Sequence, residues 1–527
     1  MNFARASVLA ALLSCVLPTS MVLAQGSDAD VVLTAPGGAL RVTGTLVDYD
    51  GAFYRVATDS GLLAVDAARV DCTGPGCPDT DDWIEEVTFS GAPVLGQALL
   101  PALVETFAQR NGYDLRREIE GEAQFRYDLF RPGADRPLAR LRFRLTGSAE
   151  GFADLIAEEA EVALSTREIT PDEAALAREA ARGDLTAPGR GRVLALDALV
   201  PLVSLSSDLA AISPADLARA FAGQIDGWAA LGGPDAPLAL HLPAAGSGLG
   251  QAFERQVMAP AGLAVAASVT RHATPDALAA AVAADPLALG VGAFSAQGDA
   301  QAVALAGPCG LQSEATETTL RTEDYPLTTP LFAYVAGRHL PPVARAFLAY
   351  AGSPAAQPVI GRAGFTDQFP QLIPLDRQGA RFLQAISVAE GEAGLSRLKG
   401  LAELLRDRAR LTVTFRFRDG SAELDAQSRW NVTLLSEALR RGVFDDRTLV
   451  FVGFSDGLGA DGDNTALSRD RAQAVRDAVA SARAGDAGDA GDDPAPDAAG
   501  YGEAMPLACD GVPWGRRINR RVEVWLR

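Results

Sequence analysis

Histidine is scarce, with three residues in a chain of 527. His241, His272 and His339 stand far apart with no metal-ligand spacing around them, so no metal site is expected. None of the three lies in a hydrolase-like context such as Gly-x-Ser-x-Gly, and no Cys-x-x-Cys occurs. The sequence therefore offers no catalytic constellation and no cofactor motif, and an enzyme is not expected. Positive charge is also short: 47 basic against 67 acidic side chains leave a net charge of −20. That balance argues against nucleic acid and against anionic membrane surfaces as partners. Beyond the first two dozen residues no apolar run is long enough to span a bilayer. What remains, 48% hydrophobic and 22% charged, is the composition of a soluble globular protein, and the length points to several domains.

Residues 1–24 have the pattern of a secretory signal: Arg5, an apolar core from Val8 to Leu17, and the small-residue cleavage site Val22-Leu23-Ala24 ahead of Gln25. Cys15, preceded by Leu12-Leu13-Ser14, offers a lipoprotein anchor as the alternative, while an uncleaved anchor would be too short and is interrupted by Pro18. Export places the mature chain in the periplasm, where disulfides form. Cys72 and Cys77 flank Thr73-Gly74-Pro75-Gly76 and can close a small loop. Cys309 and Cys509 belong to different expected domains; they pair across them or stay free.

Residues 25–83 carry short β-type runs (Val31–Leu33, Leu40–Leu46, Phe53–Ala57, Leu62–Val65) punctuated by Gly37-Gly38, Asp50-Gly51 and Ser60-Gly61, which predicts a small β-barrel-like module. Across 84–370 strands and helices alternate, predicting an α/β architecture. Its recurring unit is a strand, a loop of small or hydroxyl residues, then a helix. Phe143–Leu145 leads into Thr146-Gly147-Ser148, Val162–Leu164 into Ser165-Thr166-Arg167, and Leu238–Leu242 into Gly246-Ser247-Gly248. Hydroxyls and backbone N–H groups at helix starts are what a small oxyanion requires.

The order of segments here is specific. Gly147–Ile156, Ala163–Thr170, Ala195–Val203, Ala220–Gly233, Gly246–Gly248, Tyr325–Val335 and Phe347–Ser353 together resemble the periplasmic phosphate-binding proteins of the PstS type, the substrate-capturing component of ABC importers. The resemblance implies a two-lobed periplasmic-binding-protein fold of type II. It also implies a ligand site for phosphate or another small oxyanion at Ser148, Ser165, Thr166, Ser247 and Gly248. The family's Arg-x-x-x-Ser-Gly-Thr loop reads Pro243-Ala244-Ala245-Gly246-Ser247-Gly248-Leu249, and the usually hydroxyl-bearing first loop reads Ala92-Pro93-Val94. The family's arginine is thus missing, and Arg167 is the candidate replacement cation. Two functions follow: a solute binder, or a scaffold whose middle domain has lost phosphate and contacts another protein.

Residues 371–409 keep helical spacing at Phe382, Ile386, Ala389, Leu398, Leu401 and Leu405, and are expected to be a helical linker acting mainly as a spacer. In 410–527, Leu449–Phe454 is a buried strand ending at Ser455-Asp456-Gly457, and a helix follows with Ser468 near its start. Asp456 and Arg471 then face the same surface, an arrangement that can clamp a zwitterion. Gly453, Ser455, Asp456, Asn464, Leu467, Ser468, Arg471 and Ala472, closed by Asn519–Glu523, resemble the OmpA-like peptidoglycan-binding domain. Phe454-Ser455 stands where that family usually has His or Thr before the Asp. The resemblance implies an α+β domain of βαβαβ type. It implies that Asp456 and Arg471, supported by Asn464 and Arg520, hold the amino and carboxylate ends of diaminopimelate in the wall peptide. Residues 481–500, rich in Ala, Gly and Asp, are expected to be a disordered insertion; they lack the ligand rhythm of a calcium loop. The whole is expected to be a multidomain α/β and α+β protein in the periplasm of a Gram-negative cell, held to the wall near the outer membrane.

Overall fold

One strand, Gly191–Val203, is buried along almost its whole length and runs through two sheet regions. Its first half pairs antiparallel with Thr328–Val335, and its second half with Ala288–Ala293. Apolar residues on both faces are what a strand covered on both sides requires. Asp197 interrupts the run, and its buried carboxylate accepts Ser295 N–H at 3.0 Å and Ser295 Oγ–H at 2.7 Å. Burial pushes this carboxyl up to about 6. Each half of the strand serves its own hydrophobic core. One is built on Phe89, Phe143 and Phe347, the other on Phe221, Phe253 and Leu289. The outcome is a two-lobed α/β body of periplasmic-binding-protein type.

The computed structural model describes residues 30–36, 38, 40–79, 83–336, 340–389, 391–418, 421, 423–445, 447–484 and 496–527. The expected signal segment with Cys15 and Gln25, and His339, lie outside the described residues. Two compact units are present, one ending at Trp83 and one beginning at Ile84. In the first, five antiparallel strands take the order Gly61–Asp66, Phe53–Thr58, Arg41–Tyr49, Val31–Thr34, Asp71–Thr73, around Val31, Leu33 and Val56. The loop after the last strand is closed by a Cys72–Cys77 disulfide.

In the second unit the C-terminal sheet has the order Leu372–Ile373, Ala409–Arg416, Arg521–Leu526, Leu449–Phe454, Asp497–Gly500. The helices Ala426–Arg440 and Asp461–Ala484 cover one face. Gly453 is required where strand meets helix, because a Cβ there would collide with the Ser468 carbonyl oxygen. The segment expected as a spacer is instead part of this domain. Ala385, Leu398, Leu401 and Leu405 pack on Val450, Val452, Phe454 and Trp525 and cover the other face of the sheet, because those strand residues are as apolar as their alternates. The expected insertion 481–500 also differs at both ends. Ser481–Ala484 is the last turn of a helix, and Asp497–Gly500 is an edge strand parallel to Leu449–Phe454; 485–495 lies outside the described residues.

The C-terminal domain is bound to both lobes. Trp430 and Ala426 enter the core around Phe152 and Tyr334 in the first lobe. A Cys309–Cys509 disulfide ties it to the second, which resolves the pairing that spacing left open. Between these contacts, Arg410 forms a buried two-point pair with Asp324, at 2.6 and 3.1 Å.

Candidate functional site

Asp456 follows the strand Leu449–Phe454, and Arg471 lies two turns beyond Asn464 and one beyond Ser468 on the buried side of the helix Asp461–Ala484. Arg471 is 9% exposed, and its guanidinium lies 5.1 Å from the Phe417 ring centroid. Its Nε and Nη1 have no hydrogen-bond partner among the described residues, and neither do Ser455 Oγ and Asn464 Nδ2. Buried polar groups without partners each cost roughly 1–3 kcal/mol, and such clusters call for a functional reason. Burial and the neighbouring Arg520 charge lower the affinity of Arg471 for its proton, against the pull of Asp456. Asp456, expected to take a ligand ammonium, is here ion-paired with Arg520, expected in support, Oδ2 to Nη1 at 2.8 Å.

The closing motif splits into two roles. Asn519 pins the chain: its Oδ1 accepts from Leu507 N–H and Ala508 N–H, and its Nδ2 donates to Ala508 O and Asp510 Oδ1. Glu523 is fully buried among Arg381, Arg410 and Arg521. These arginines outweigh its burial and hold it well below the carboxylate range. Only Arg520 turns to Asp456. Two residues near the site were missed from the sequence. Phe417 was hidden in an ordinary strand alternation. Asp510 accepts Gly457 N–H at 2.9 Å, and burial, with Asp456, raises its carboxyl.

The hydroxyls of the predicted oxyanion residues are engaged with one another or with nearby backbone. Ser148 Oγ accepts Thr166 N–H at 3.1 Å. Ser165 Oγ donates to Arg167 O, at 2.8 Å. Ser247 caps the helix Gly248–Phe253, accepting Gly250 N–H and donating to Ala244 O. A Cβ at Gly248 would stand 3.2 Å from Thr166 Oγ1, so the lobes already touch there. Arg167, the expected replacement cation, stacks over Phe152 and forms a two-point pair with Glu173 at 2.6 and 2.8 Å. Burial would raise the Glu173 carboxyl, but the hydrogen bonds from Arg167 and from Thr170 N–H hold it low. The charge of Arg167 is thus matched within its own lobe.

Beside this contact a cavity of about 570 Å³ opens between both lobes and the C-terminal domain. Thr166, Arg167 and Glu168 come from one lobe, Arg255 and Pro260 from the other, and Arg416, Asp425, Trp514 and Arg517 from the C-terminal domain. Glu168 accepts from Arg418 at 2.7 Å and Arg429 at 2.9 Å. Arg416 donates to the Ile518 and Glu323 carbonyls. Arg255 is solvent-exposed and has no hydrogen-bond or ion-pair partner among the described residues; partial desolvation by its neighbours and the Arg167 charge lower its proton affinity. Elsewhere, His241 Nδ1 and His272 Nε2 lie 2.9 Å apart on adjacent strands, and no group of three metal-ligating residues occurs among the described residues.

Glu323 lines the same cavity. Burial and then the Asp425 charge raise its carboxyl to about 8, against Arg416. A carboxyl whose folded-state value exceeds its unfolded one binds more protons when folded, so stability falls as pH rises between about 4.5 and 8. Glu323→Gln keeps an acceptor for Asn431 and removes this term. It is expected to raise unfolding free energy on the order of 3 kcal/mol at pH 8, with no gain near pH 4, measured by urea titration at both values. An equal change at both pH values would contradict the raised carboxyl.

Residues 85–355 match the family model described as a PBP superfamily domain, and residues 416–488 match that of the OmpA family. Both are families of binding domains. No curated protein matches the chain. Among solved structures, an ABC-type phosphate transport receptor from Vibrio cholerae is 19% identical, with 53% of this chain and 98% of that one covered at a TM-score of 0.40. A putative phosphate ABC transporter substrate-binding protein with bound phosphate from Clostridium perfringens is 18% identical, covering 54% and 99% at 0.41. The peptidoglycan-associated lipoprotein from Burkholderia pseudomallei is 24% identical, covering 22% and 89% at 0.19. No helix among the described residues is long and apolar enough to cross a membrane.

Proposed function

From the premise that the chain belongs to the PBP superfamily, through residues 85–355, and carries an OmpA family domain, we propose that it is a cell-envelope protein that binds the peptide of diaminopimelate-type peptidoglycan and presents a solute-binding domain at the wall. The observation that carries the wall reading is Arg471: a buried guanidinium with two unpartnered nitrogens, next to a carboxylate at a strand end. A carboxylate arriving there meets a donor already dehydrated, and an ammonium meets Asp456. Residues Asn464 and Ser455 supply further donors. The full chain is expected to co-sediment with sacculi whose peptide carries diaminopimelate, and to stay in the supernatant with lysine-type walls. Equal pelleting with both would remove the zwitterion clamp.

In the middle domain the engaged hydroxyls and the Arg167–Glu173 pair favour a solute other than phosphate. A ligand at 100 times its dissociation constant adds about 2.7 kcal/mol to the stability of the state that binds it. Millimolar phosphate is expected to leave the thermal midpoint of the full chain where sulfate leaves it. A saturable phosphate-specific rise would restore the oxyanion site at Ser148, Thr166 and Ser247. The scaffold reading stands on the same closed contact between Gly248 and Thr166, and it gains if no small solute binds at all.

A further inference from the structure

The charges around the cavity do not balance locally. Glu168 is matched by Arg418 and Arg429, and Arg167 by Glu173. Arg416 stands with Asp324 and the raised Glu323. Arg255 has no such match, and Arg517 reaches only the Pro326 carbonyl, at 3.3 Å. Among the described residues, these two solvent-exposed cations therefore face a common space without an ion-pair partner, while Asp425 in the same lining accepts Ser428 N–H. Much of the remaining lining is apolar, with Phe332, Trp514, Pro260 and Pro330. The volume, about 570 Å³, falls in the range of sites for drug-sized ligands and far exceeds what a tetrahedral oxyanion fills. Ser148, Ser165, Ser247 and Gly248 do not line it.

We propose that this three-walled cavity is a binding site for an organic anion with an apolar body, its anionic group held by Arg255 beside Arg167 and its body laid against Trp514 and the prolines. A small dianion such as phosphate suits the site poorly, since the space far exceeds it and the Asp425 carboxyl shares its walls. One delocalised negative charge suits a guanidinium, which offers two parallel donors. The C-terminal domain is then part of the solute site rather than only a tether. The Cys309–Cys509 bond holds the wall carrying Trp514 and Arg517 against the second lobe. The inference rests on the solute-binding reading of the middle domain and moves the site away from the hydroxyl loops.

The test uses two fluorescent probes with the same apolar skeleton: anilinonaphthalene sulfonate, which is anionic, and N-phenyl-naphthylamine, which is neutral. The full oxidised chain is expected to bind the sulfonate saturably at one site, and the neutral probe at least about tenfold more weakly, in line with a charge-assisted contact. Arg255→Ala is expected to weaken the sulfonate about tenfold and leave the neutral probe unchanged, whereas Arg362→Ala, outside the cavity, changes neither. Cys309→Ser/Cys509→Ser is expected to weaken both probes by releasing one wall. Equal affinity for the two probes, or no effect of Arg255→Ala, overturns the anion site. No effect of the cysteine pair removes the C-terminal domain from it. Phosphate binding without sulfonate binding would retain the solute reading and discard this cavity; binding of neither would discard both.

Discussion

Arg471→Ala is expected to weaken co-sedimentation with diaminopimelate-type sacculi by roughly 30-fold or more. Removing one member of a buried charge-assisted contact costs about 2–5 kcal/mol in binding, and every 1.4 kcal/mol is tenfold. Arg471 should reach at least the lower end of that range, because its guanidinium is already desolvated and two of its nitrogens are unpartnered among the described residues. The free protein bears the cost of burying them, so a ligand carboxylate recovers that cost on binding. Asp456 should contribute less on its own. Its Oδ2 is paired with Arg520 at 2.8 Å, so an incoming ammonium competes with a cation already present. Asp456→Asn is therefore expected to lower affinity several-fold, and the double variant to stay in the supernatant. Arg469→Ala, on the exposed side of the same helix, is the control. Wild-type pelleting by Arg471→Ala would place the wall contact elsewhere.

The residues of the proposed clamp could be picked out because they are local. A strand, a turn with a carboxylate and a helix lie within one stretch of chain, and the spacing of Asn464, Ser468 and Arg471 places them on one helix face. Its supports could not. Phe417 comes from just after a different strand, Ala409–Arg416, and Asp510 reaches Gly457 N–H from 53 residues away. The α/β architecture was also legible, as alternating strands and helices, and its two lobes through the resemblance to the PstS-type proteins. The fate of its hydroxyls was not read, although part of the signal was present. Thr170 and Glu173 form a capping box at the start of the helix Pro171–Glu179, the Thr-x-x-Glu pattern of a helix start. That cap sets a carboxylate beside Arg167, and the arginine expected to face an anion faces Glu173 instead. The bridging of lobes and C-terminal domain was no more than one open alternative in the sequence. Cys309 and Cys509 are 200 residues apart, and nothing in either neighbourhood specifies the other.

The same bridging makes Asp324 the residue whose loss should cost the fold most. It sits at the crossover between the lobes, just before the strand Thr328–Val335, and it meets Arg410 through two hydrogen bonds and Arg416 at 3.4 Å. Both arginines come from the first long strand of the C-terminal domain and are nearly inaccessible. Asp324→Asn preserves volume but leaves two buried guanidinium groups short of a counter-charge. Breaking a buried pair in this way costs about 3–5 kcal/mol, more than the pair contributes over an apolar replacement. The loss should appear as a lower urea midpoint at pH 7. Arg410→Met/Asp324→Leu should recover part of it, since neither charge is then stranded, although Arg416 keeps the recovery incomplete. The pH dependence gives an independent reading. Burial would raise the Asp324 carboxyl, but the Arg410 charge and hydrogen bonds prevail and hold it below its ordinary value. A depressed carboxyl stabilises the fold above its unfolded value, about 3.9, and that stabilisation is lost as pH falls through the folded one. Wild type and Asp324→Asn should therefore differ by a constant amount from neutral pH down to about 4 and converge below it. A difference under about 1 kcal/mol at pH 7 would mean that the disulfide and the Trp430 packing, not this ion pair, hold the C-terminal domain across the lobes.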